Sequence, residues 1–212
     1  MAENFQWILL AYLLGSLPFA LWVGMWVKGI DIREVGSKNM GASNVFREIG
    51  SFYGVIVLLL DMMKAYLAVQ LYQFIDPNGW MGHEKGFWQL LLGGMAVFGH
   101  LFPVFASFRG GKGVASLFGM VLAIQPWIAL ICIGVFLLVV WLTKYISLGS
   151  IAGVIVFASC VWFAFHESDV YIRWFSAASM FVLILMHRKN IVRLFKGTER
   201  KINLRKKSNN DH

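Results

Sequence analysis

Apolar runs long enough to cross a lipid bilayer occupy most of this sequence. A transmembrane helix needs about 20 apolar residues to span a hydrocarbon core of about 30 Å. Five runs meet this requirement, at residues 5–27, 52–74, 87–108, 148–165 and 170–186. Only 14% of the residues are charged, whereas soluble domains average about 25%. The sequence therefore predicts an all-α integral membrane protein.

A sixth run, residues 114–142, decides the topology. It could form one tilted helix, or two short helices broken at residues 125–127. With two helices there are seven spans, and the outer loops hold only Lys85 and Arg173. With one helix, Lys144 and the basic C-terminus would lie outside, although Lys and Arg favour cytoplasmic loops. We therefore predict seven transmembrane helices, some short or broken, with the N-terminus outside and the C-terminus in the cytoplasm.

The same pattern sets the domain organisation and the expected partners. Residues 1–197 form one membrane domain, and residues 198–212 are predicted to be a basic, largely disordered tail. The net charge of +8 does not indicate a nucleic-acid partner, because the cations lie between and after apolar runs. The lipid bilayer is the expected surrounding. Cys132 and Cys160 lie within apolar runs, which predicts packing roles.

Two glycine-rich loops interrupt the apolar sequence. The first loop, residues 36–50, reads GSKNMGASNVFREIG, and the second loop, residues 108–116, reads FRGGKGVAS. In the seven-span topology both face the cytoplasm, as does the segment KYISLGS at residues 144–150. Glycine lets backbone N–H groups approach a ligand closely, and the Ser, Asn, Lys and Arg side chains add donors and charge. The loops therefore predict a site for phosphate groups.

Two other structures also fit parts of these loops. Either loop alone could be a tight interhelical turn, but two on one face favour a binding site. The second loop is not a nucleotide-binding P-loop, because Gly113 follows Lys112 where Ser or Thr is required, and no strand precedes it. A predicted helix begins directly after the loop, and its N-terminus favours an anion.

Two histidines are candidates, His100 within the third predicted span and His187 at the cytoplasmic end of the seventh. His187 borders the loop face, with Asn190 one turn later, and is the better functional candidate, whereas a lone intramembrane His such as His100 is more often structural. Neither begins the H-x-x-x-x-D pair of acyl-CoA-dependent glycerolipid acyltransferases, since Phe105 and Val192 stand where Asp would be.

Two further polar pairs carry weaker signals. Asp61 and Lys64 share one helix face inside a span, which favours a structural ion pair over the alternative of a proton or ion relay. His83 and Glu84 lack the second His of a zinc-binding H-E-x-x-H motif. No metal site and no cofactor is predicted.

Five segments together resemble a known family in order and spacing. They are GSLPFA, DIREVGSKNMGASNVFREIG, GHLFPVFASFRGGKGVAS, SLGS and HRKNIVRLFKGTERKI. The chain resembles, over nearly its whole length, the bacterial PlsY family of acyl-phosphate:glycerol-3-phosphate acyltransferases. The resemblance implies a seven-span enzyme that acylates the sn-1 hydroxyl of glycerol 3-phosphate, giving lysophosphatidic acid and inorganic phosphate.

Loop chemistry and the resemblance together give the candidate site. The predicted catalytic residues are Ser37, Asn39, Arg47, Lys112, His187 and Asn190. The predicted substrate- and phosphate-binding residues are Gly36, Gly41, Ser43, Asn44, Gly110, Gly111, Gly113 and Ser147. The resemblance gives Glu199 a mainly structural part. Lys38 stands where the family usually has Gly, so its side chain either alters the fit of the first loop or points to solvent.

The implied reaction also names partners and a location. Acyl phosphate and glycerol 3-phosphate are the expected substrates, an upstream acyl-phosphate synthase is a possible partner, and the protein is expected to be a monomer in the bacterial inner membrane with its site on the cytoplasmic side. The competing hypothesis is a membrane transporter for phosphate or another anion, because broken helices and intramembrane charges also suit a carrier.

Overall fold

The protein folds as a bundle of helices. The computed structural model describes residues 2–75 and 85–202. Its α-helices are α1 (Ala2–Gly15), α2 (Phe19–Lys28), α3 (Ala42–Glu48), α4 (Ser51–Gln70), α5 (Lys85–Leu101), α6 (Val114–Ile124), α7 (Pro126–Thr143), α8 (Ile146–Ser159), α9 (Val170–Met186) and α10 (Arg188–Phe195). No strand occurs in these residues, so the predicted all-α class is confirmed for them. His83 and Glu84 lie outside the described residues.

Five helical segments have the length and apolar composition of membrane spans. They are Asn4–Lys28, Ser51–Phe74, Lys85–Ala106, Pro126–Thr143 and Ile146–Ala164. Helices α9 and α10 make a sixth if they are counted as one span with a bend of 60°. The predicted break in the sixth apolar run is present, because α6 ends at Ile124 and α7 begins at Pro126. Helix α6 has 11 residues, which rise about 16 Å and cover about half of a hydrocarbon core.

The first span is broken between α1 and α2, where the sequence reads GSLP. Pro18 has no backbone N–H and cannot continue the helical ladder of α1. The carbonyl of Leu17 at this break instead accepts a hydrogen bond of 2.9 Å from Lys64 Nζ on α4. A buried polar group inside an apolar bundle needs a hydrogen-bond partner. Lys64 supplies one for the Leu17 carbonyl, which the break leaves without a helical partner.

Small residues allow the central helices to approach closely. A Cβ atom on Gly15 of α1 would lie 2.1 Å from the Ala96 carbonyl oxygen of α5, and one on Gly119 of α6 would lie 1.9 Å from that of Met62 on α4. Neither glycine can therefore be replaced without moving a helix. Large apolar side chains such as Trp26 face outward and are exposed, as expected for a surface covered by lipid.

The end of the domain lies later than the sequence predicted. Glu199 and Ile202 are each only 6% exposed, and the Ile202 N–H donates a hydrogen bond of 2.9 Å to the Lys144 carbonyl. Residues 198–202 thus fold against the bundle, at the start of the segment that the sequence predicts to be a largely disordered tail. Residues 203–212 lie outside the described residues.

Candidate active site

A cavity of about 1110 Å³ opens between the first loop, α4, α6, α7 and the α9–α10 turn. Its polar wall comes from loops and helix ends, and includes Ser37, Lys112 and Asn190. Its apolar wall comes from helix interiors, and includes Leu58, Phe118 and Leu137. A polar ligand bearing a hydrocarbon chain would match this division, because each part would meet a surface of its own kind.

All six predicted catalytic residues line this one cavity, together with four of the predicted binding residues. These are Ser37, Asn39, Arg47, Lys112, His187 and Asn190, with Gly41, Ser43, Gly113 and Ser147. Gly36, Asn44, Gly110 and Gly111 do not line it. The residues that the topological argument placed on one face therefore converge, although they come from four separate parts of the chain.

Asn44 supports the first loop and does not face a ligand. Its side chain is fully buried, and its Oδ1 accepts a hydrogen bond of 3.0 Å from the backbone N–H of Ser37. Its Nδ2 donates to the carbonyls of Ile32, at 2.8 Å, and Val35, at 3.1 Å. Since the amide is engaged on both sides, the structure gives Asn44 a scaffolding role in place of the predicted substrate contact.

The glycines of the second loop allow it to lie against α5. The Gly111 N–H donates a hydrogen bond of 3.1 Å to the His100 carbonyl. A Cβ atom on Gly110 would lie 2.1 Å from that same oxygen, and one on Gly111 would lie 2.6 Å from the Met40 carbonyl of the first loop. The two loops are thus in contact, and Gly110 and Gly111 shape the site without lining it.

Lys112 belongs to a hydrogen-bond network centred on a buried carboxylate. Its Nζ donates to Asn190 Oδ1, and Asn190 Nδ2 donates to Glu199 Oε1 over 2.7 Å. The same oxygen accepts from Ser147 Oγ at 2.8 Å, while Glu199 Oε2 accepts from Arg193 Nε at 2.6 Å. Although burial alone would raise the pKa of Glu199, these three donors hold it below its usual value.

Arg47 is held at the cavity with donors to spare. One terminal nitrogen donates a hydrogen bond of 3.0 Å to the Arg200 carbonyl. Its Nε is buried and has no hydrogen-bond partner among the described residues. A guanidinium with unused donors in a partly buried position is suited to bind an oxyanion in a forked geometry.

His187 presents one ring nitrogen for proton transfer. Its Nδ1 lies 2.9 Å from the Leu183 carbonyl oxygen, which can only accept a hydrogen bond. Nδ1 therefore carries the proton in the neutral ring, and Nε2 is left as an acceptor. Since Nδ1 is engaged, Nε2 is the ring nitrogen of this cavity-lining residue that remains to accept a proton.

Lys38 occupies a backbone conformation that favours glycine. Its φ is 56°, in the left-handed region, and its side chain is exposed at the cavity rim. A side chain in this region costs about 1–2 kcal/mol. We expect Lys38→Gly to raise the free energy of unfolding by about 0.5–1 kcal/mol, after the greater freedom of glycine in the unfolded chain is allowed for. Thermal unfolding in detergent measures the change, and an unchanged or lower Tm would contradict it.

The protonation of Lys112 predicts an alkaline limit to activity. Burial lowers the pKa of Lys112 to about 8, Glu199 opposes this shift, and the charges of Arg193 and Arg47 add to it. A phosphate ligand requires the charged ammonium, which is lost as the pH rises through 8. We expect kcat/KM for the reaction that the resemblance implies to be about tenfold lower at pH 9 than at pH 7. Lys112→Arg is the control, because its guanidinium stays charged and should abolish this decline.

Sequence reasoning missed two sets of residues at the site. Arg193 lines the cavity without being a predicted site residue, although it follows Asn190 by three positions and so shares its helix face. The sequence favours structural roles for Asp61 and His100, yet both line the cavity. The predicted ion pair is confirmed, with Lys64 Nζ 2.8 Å from Asp61 Oδ1. The proximity of His100 to Gly111 could not be read from positions 11 residues apart.

Comparison with known proteins points to one family. A family model described as glycerol-3-phosphate acyltransferase matches residues 5–197. A glycerol-3-phosphate acyltransferase from Thermosipho melanesiensis is 44% identical over 197 residues, covering 92% of this chain and 90% of the relative. One from Laribacter hongkongensis is 41% identical over 202 residues, covering 95% of this chain and 97% of the relative.

Solved structures agree with the sequence relatives. The crystal structure of PlsY, an integral membrane glycerol 3-phosphate acyltransferase, in its glycerol 3-phosphate form superposes with a TM-score of 0.82 at 34% identity, covering 95% of this chain and 96% of that one. The lysophosphatidic acid form gives a TM-score of 0.78 at 33% identity, with the same coverage. Fold, site and relatives coincide, and the chain belongs to the glycerol-3-phosphate acyltransferase family.

Proposed function

We propose that this protein transfers a fatty acyl group from acyl phosphate to the sn-1 hydroxyl of glycerol 3-phosphate, releasing lysophosphatidic acid and inorganic phosphate. The observation that carries the proposal is the single cavity in which Arg47 and Lys112, from two glycine-rich loops, meet beside an apolar wall. The related PlsY structures are described as a glycerol 3-phosphate form and a lysophosphatidic acid form, which correspond to a substrate and a product of this reaction.

The choice of donor follows from the number of phosphate groups. Acyl phosphate and glycerol 3-phosphate each carry one, and each of the two glycine-rich loops brings a partly buried cation to the cavity, Arg47 from the first loop and Lys112 from the second. An acyl phosphate is a mixed anhydride with a good leaving group, so the enzyme does not need a nucleophile of its own. The apolar wall formed by Leu58, Phe118 and Leu137 would take the hydrocarbon chain.

We infer a direct displacement without a covalent enzyme intermediate. The sn-1 hydroxyl oxygen attacks the acyl carbonyl carbon, a new ester bond forms, and the bond between the acyl carbon and the phosphate oxygen breaks. Arg47 and Lys112 would orient the two phosphates and offset the charge that develops on them, so much of the rate gain comes from positioning. The hydroxyl proton passes either to His187 Nε2 or to an oxygen of the donor phosphate.

Replacing His187 distinguishes these two proton acceptors. If His187 is the base, we expect His187→Ala to lower kcat about 100- to 10,000-fold, which is the usual contribution of general base catalysis. Measured release of phosphate from acyl phosphate in the presence of glycerol 3-phosphate gives the answer. A fall within tenfold would exclude His187 as an essential base and leave the donor phosphate as the acceptor.

A donor comparison tests the function as a whole. Purified protein in detergent is incubated with glycerol 3-phosphate and either palmitoyl phosphate or palmitoyl-CoA, and lysophosphatidic acid and free phosphate are measured. We expect product from palmitoyl phosphate only. Product from palmitoyl-CoA only would keep the acyl transfer but overturn the donor, and no product from either would overturn the proposed reaction.

We propose seven membrane crossings, with α6 and α7 as two of them, the N-terminus outside and the cavity on the cytoplasmic side of the inner membrane. In this arrangement the basic residues of the first loop, the second loop and α10 share the cytoplasmic face. An acyl-phosphate synthase would deliver its product there, and we propose that the protein acts as a monomer, because one chain supplies all six candidate catalytic residues.

The transporter hypothesis finds no specific support. The family match and the named relatives are acyltransferases. The intramembrane charges that suggested a carrier are neutralised by each other, since Lys64 and Asp61 form an ion pair at 2.8 Å.

A further inference from the structure

A buried polar cluster borders the cavity and has no part in the reaction described above. It consists of Asp61 and Lys64 on α4 and His100 on α5, each no more than 3% exposed. Lys64 Nζ lies 2.8 Å from Asp61 Oδ1, and His100 Nδ1 lies 3.5 Å from the same oxygen. Asp61 and His100 line the cavity, whereas Lys64 faces the break between α1 and α2.

The ion pair between Asp61 and Lys64 does not explain why His100 is buried beside it. Its Nδ1 is buried and has no closer hydrogen-bond partner among the described residues. The negative charge of Asp61 favours a ring with the Nδ1 proton directed at the carboxylate. Such an arrangement sets the rotation of the ring and turns its opposite edge, which carries Nε2, away from Asp61.

That opposite edge lies against the second loop. A Cβ atom on Gly111 would be 2.1 Å from His100 Nε2, so the ring abuts the backbone at this glycine. The His100 carbonyl accepts the Gly111 N–H at 3.1 Å. Lys112 is the next residue, and the position of its ammonium therefore depends on a backbone that His100 holds through both its ring and its carbonyl.

We propose that Asp61 and His100 are positioning residues, in which Asp61 orients the imidazole ring and the ring supports the second loop so that Lys112 points at the reacting phosphate. This inference rests on the proposed acyl transfer. It gives the intramembrane carboxylate a role in activity beyond its ion pair with Lys64. A displacement of about 1 Å at a reacting centre can cost about 100-fold in rate, so a support of this kind has a measurable effect.

A double-mutant cycle between His100 and Lys112 tests the inference. We expect His100→Asn, which leaves space beneath Gly111, to lower kcat/KM about 10- to 100-fold. If His100 acts through Lys112, the double variant H100N/K112A should be within about threefold of K112A alone. If the two substitutions act independently, the double variant should lose kcat/KM by the product of the two single losses. That result would overturn the positioning role. The larger amide of His100→Gln provides a second variant, and Tm in detergent checks the fold of each.

Asp61 is tested together with its ion-pair partner. Removing Asp61 alone would leave the Lys64 charge buried and unpaired, at a cost to stability that obscures activity. The variant D61L/K64M removes both charges and the oxygen toward which His100 Nδ1 is directed, while keeping both side chains close to their original size. We expect kcat/KM to fall at least fivefold in this variant while K112A lowers it less than in the wild-type background. A variant with wild-type kcat/KM would show that Asp61 serves only the ion pair and would overturn its positioning role.

The activity of the wild-type protein distinguishes failure of the proposed function from failure of the positioning inference. A wild-type protein inactive with palmitoyl phosphate would overturn the proposed function and this inference together. An active wild-type protein with multiplicative effects of His100 and Lys112 would overturn the inference alone.

Discussion

Lys112→Ala should lower kcat/KM for acyl transfer about 100- to 1,000-fold, the usual cost of removing one preorganised donor to a developing charge. The ammonium of Lys112 is partly buried at the cavity, where its interaction with a phosphate is stronger than in water. It donates to Asn190 Oδ1, and the ammonium has two further hydrogens for a substrate. Release of phosphate and formation of lysophosphatidic acid, both measured with palmitoyl phosphate, give the change.

Lys196→Ala is the matched control for charge. Lys196 follows α10 directly and is exposed outside the cavity, so its removal changes the net charge equally without touching the site. We expect kcat/KM for this variant within about threefold of wild type, as for surface charges away from a site. An equal loss in Lys112→Ala and Lys196→Ala would mean that the general positive field, and not the Lys112 ammonium, supports the reaction.

The convergence of the site was predictable because it depends on topology. Span lengths and the distribution of Lys and Arg placed the first loop, the second loop and the turn after α9 on one face, and Arg47, Lys112 and His187 do line one cavity. That argument needs only the lengths of the apolar runs and the sign of the loop charges. It is insensitive to errors of a few residues in any helix boundary.

Side-chain direction could not be predicted in the same way. Asn44 and Asn39 have the same polar character in one loop, yet the amide of Asn44 is buried against the backbone while Asn39 lines the cavity. A composition rich in Lys and Arg made residues 198–202 resemble a tail. Glu199 is buried because donors from α8 and α10 surround it, and such contacts between distant segments leave no periodic signal.

Glu199→Ala should affect both stability and activity. The substitution leaves Ser147 Oγ, Asn190 Nδ2 and Arg193 Nε without their shared acceptor. Removing one partner of a buried ion pair typically costs about 3–5 kcal/mol, and the value here should lie toward the lower end because the side chain of Arg193 is 40% exposed. We expect the Tm in detergent to fall by about 10 °C.

The activity of the same variant separates its two roles. Glu199 holds the Asn190 amide whose oxygen accepts from Lys112, so kcat/KM at a temperature well below the Tm should fall at least tenfold as the ammonium loses its orientation. Glu199→Gln keeps the size of the side chain and one acceptor oxygen, and its loss should be smaller than that of alanine. A lower Tm with unchanged kcat/KM would show that Asn190 orients Lys112 without the carboxylate, and that Glu199 joins the chain end to the bundle for stability alone.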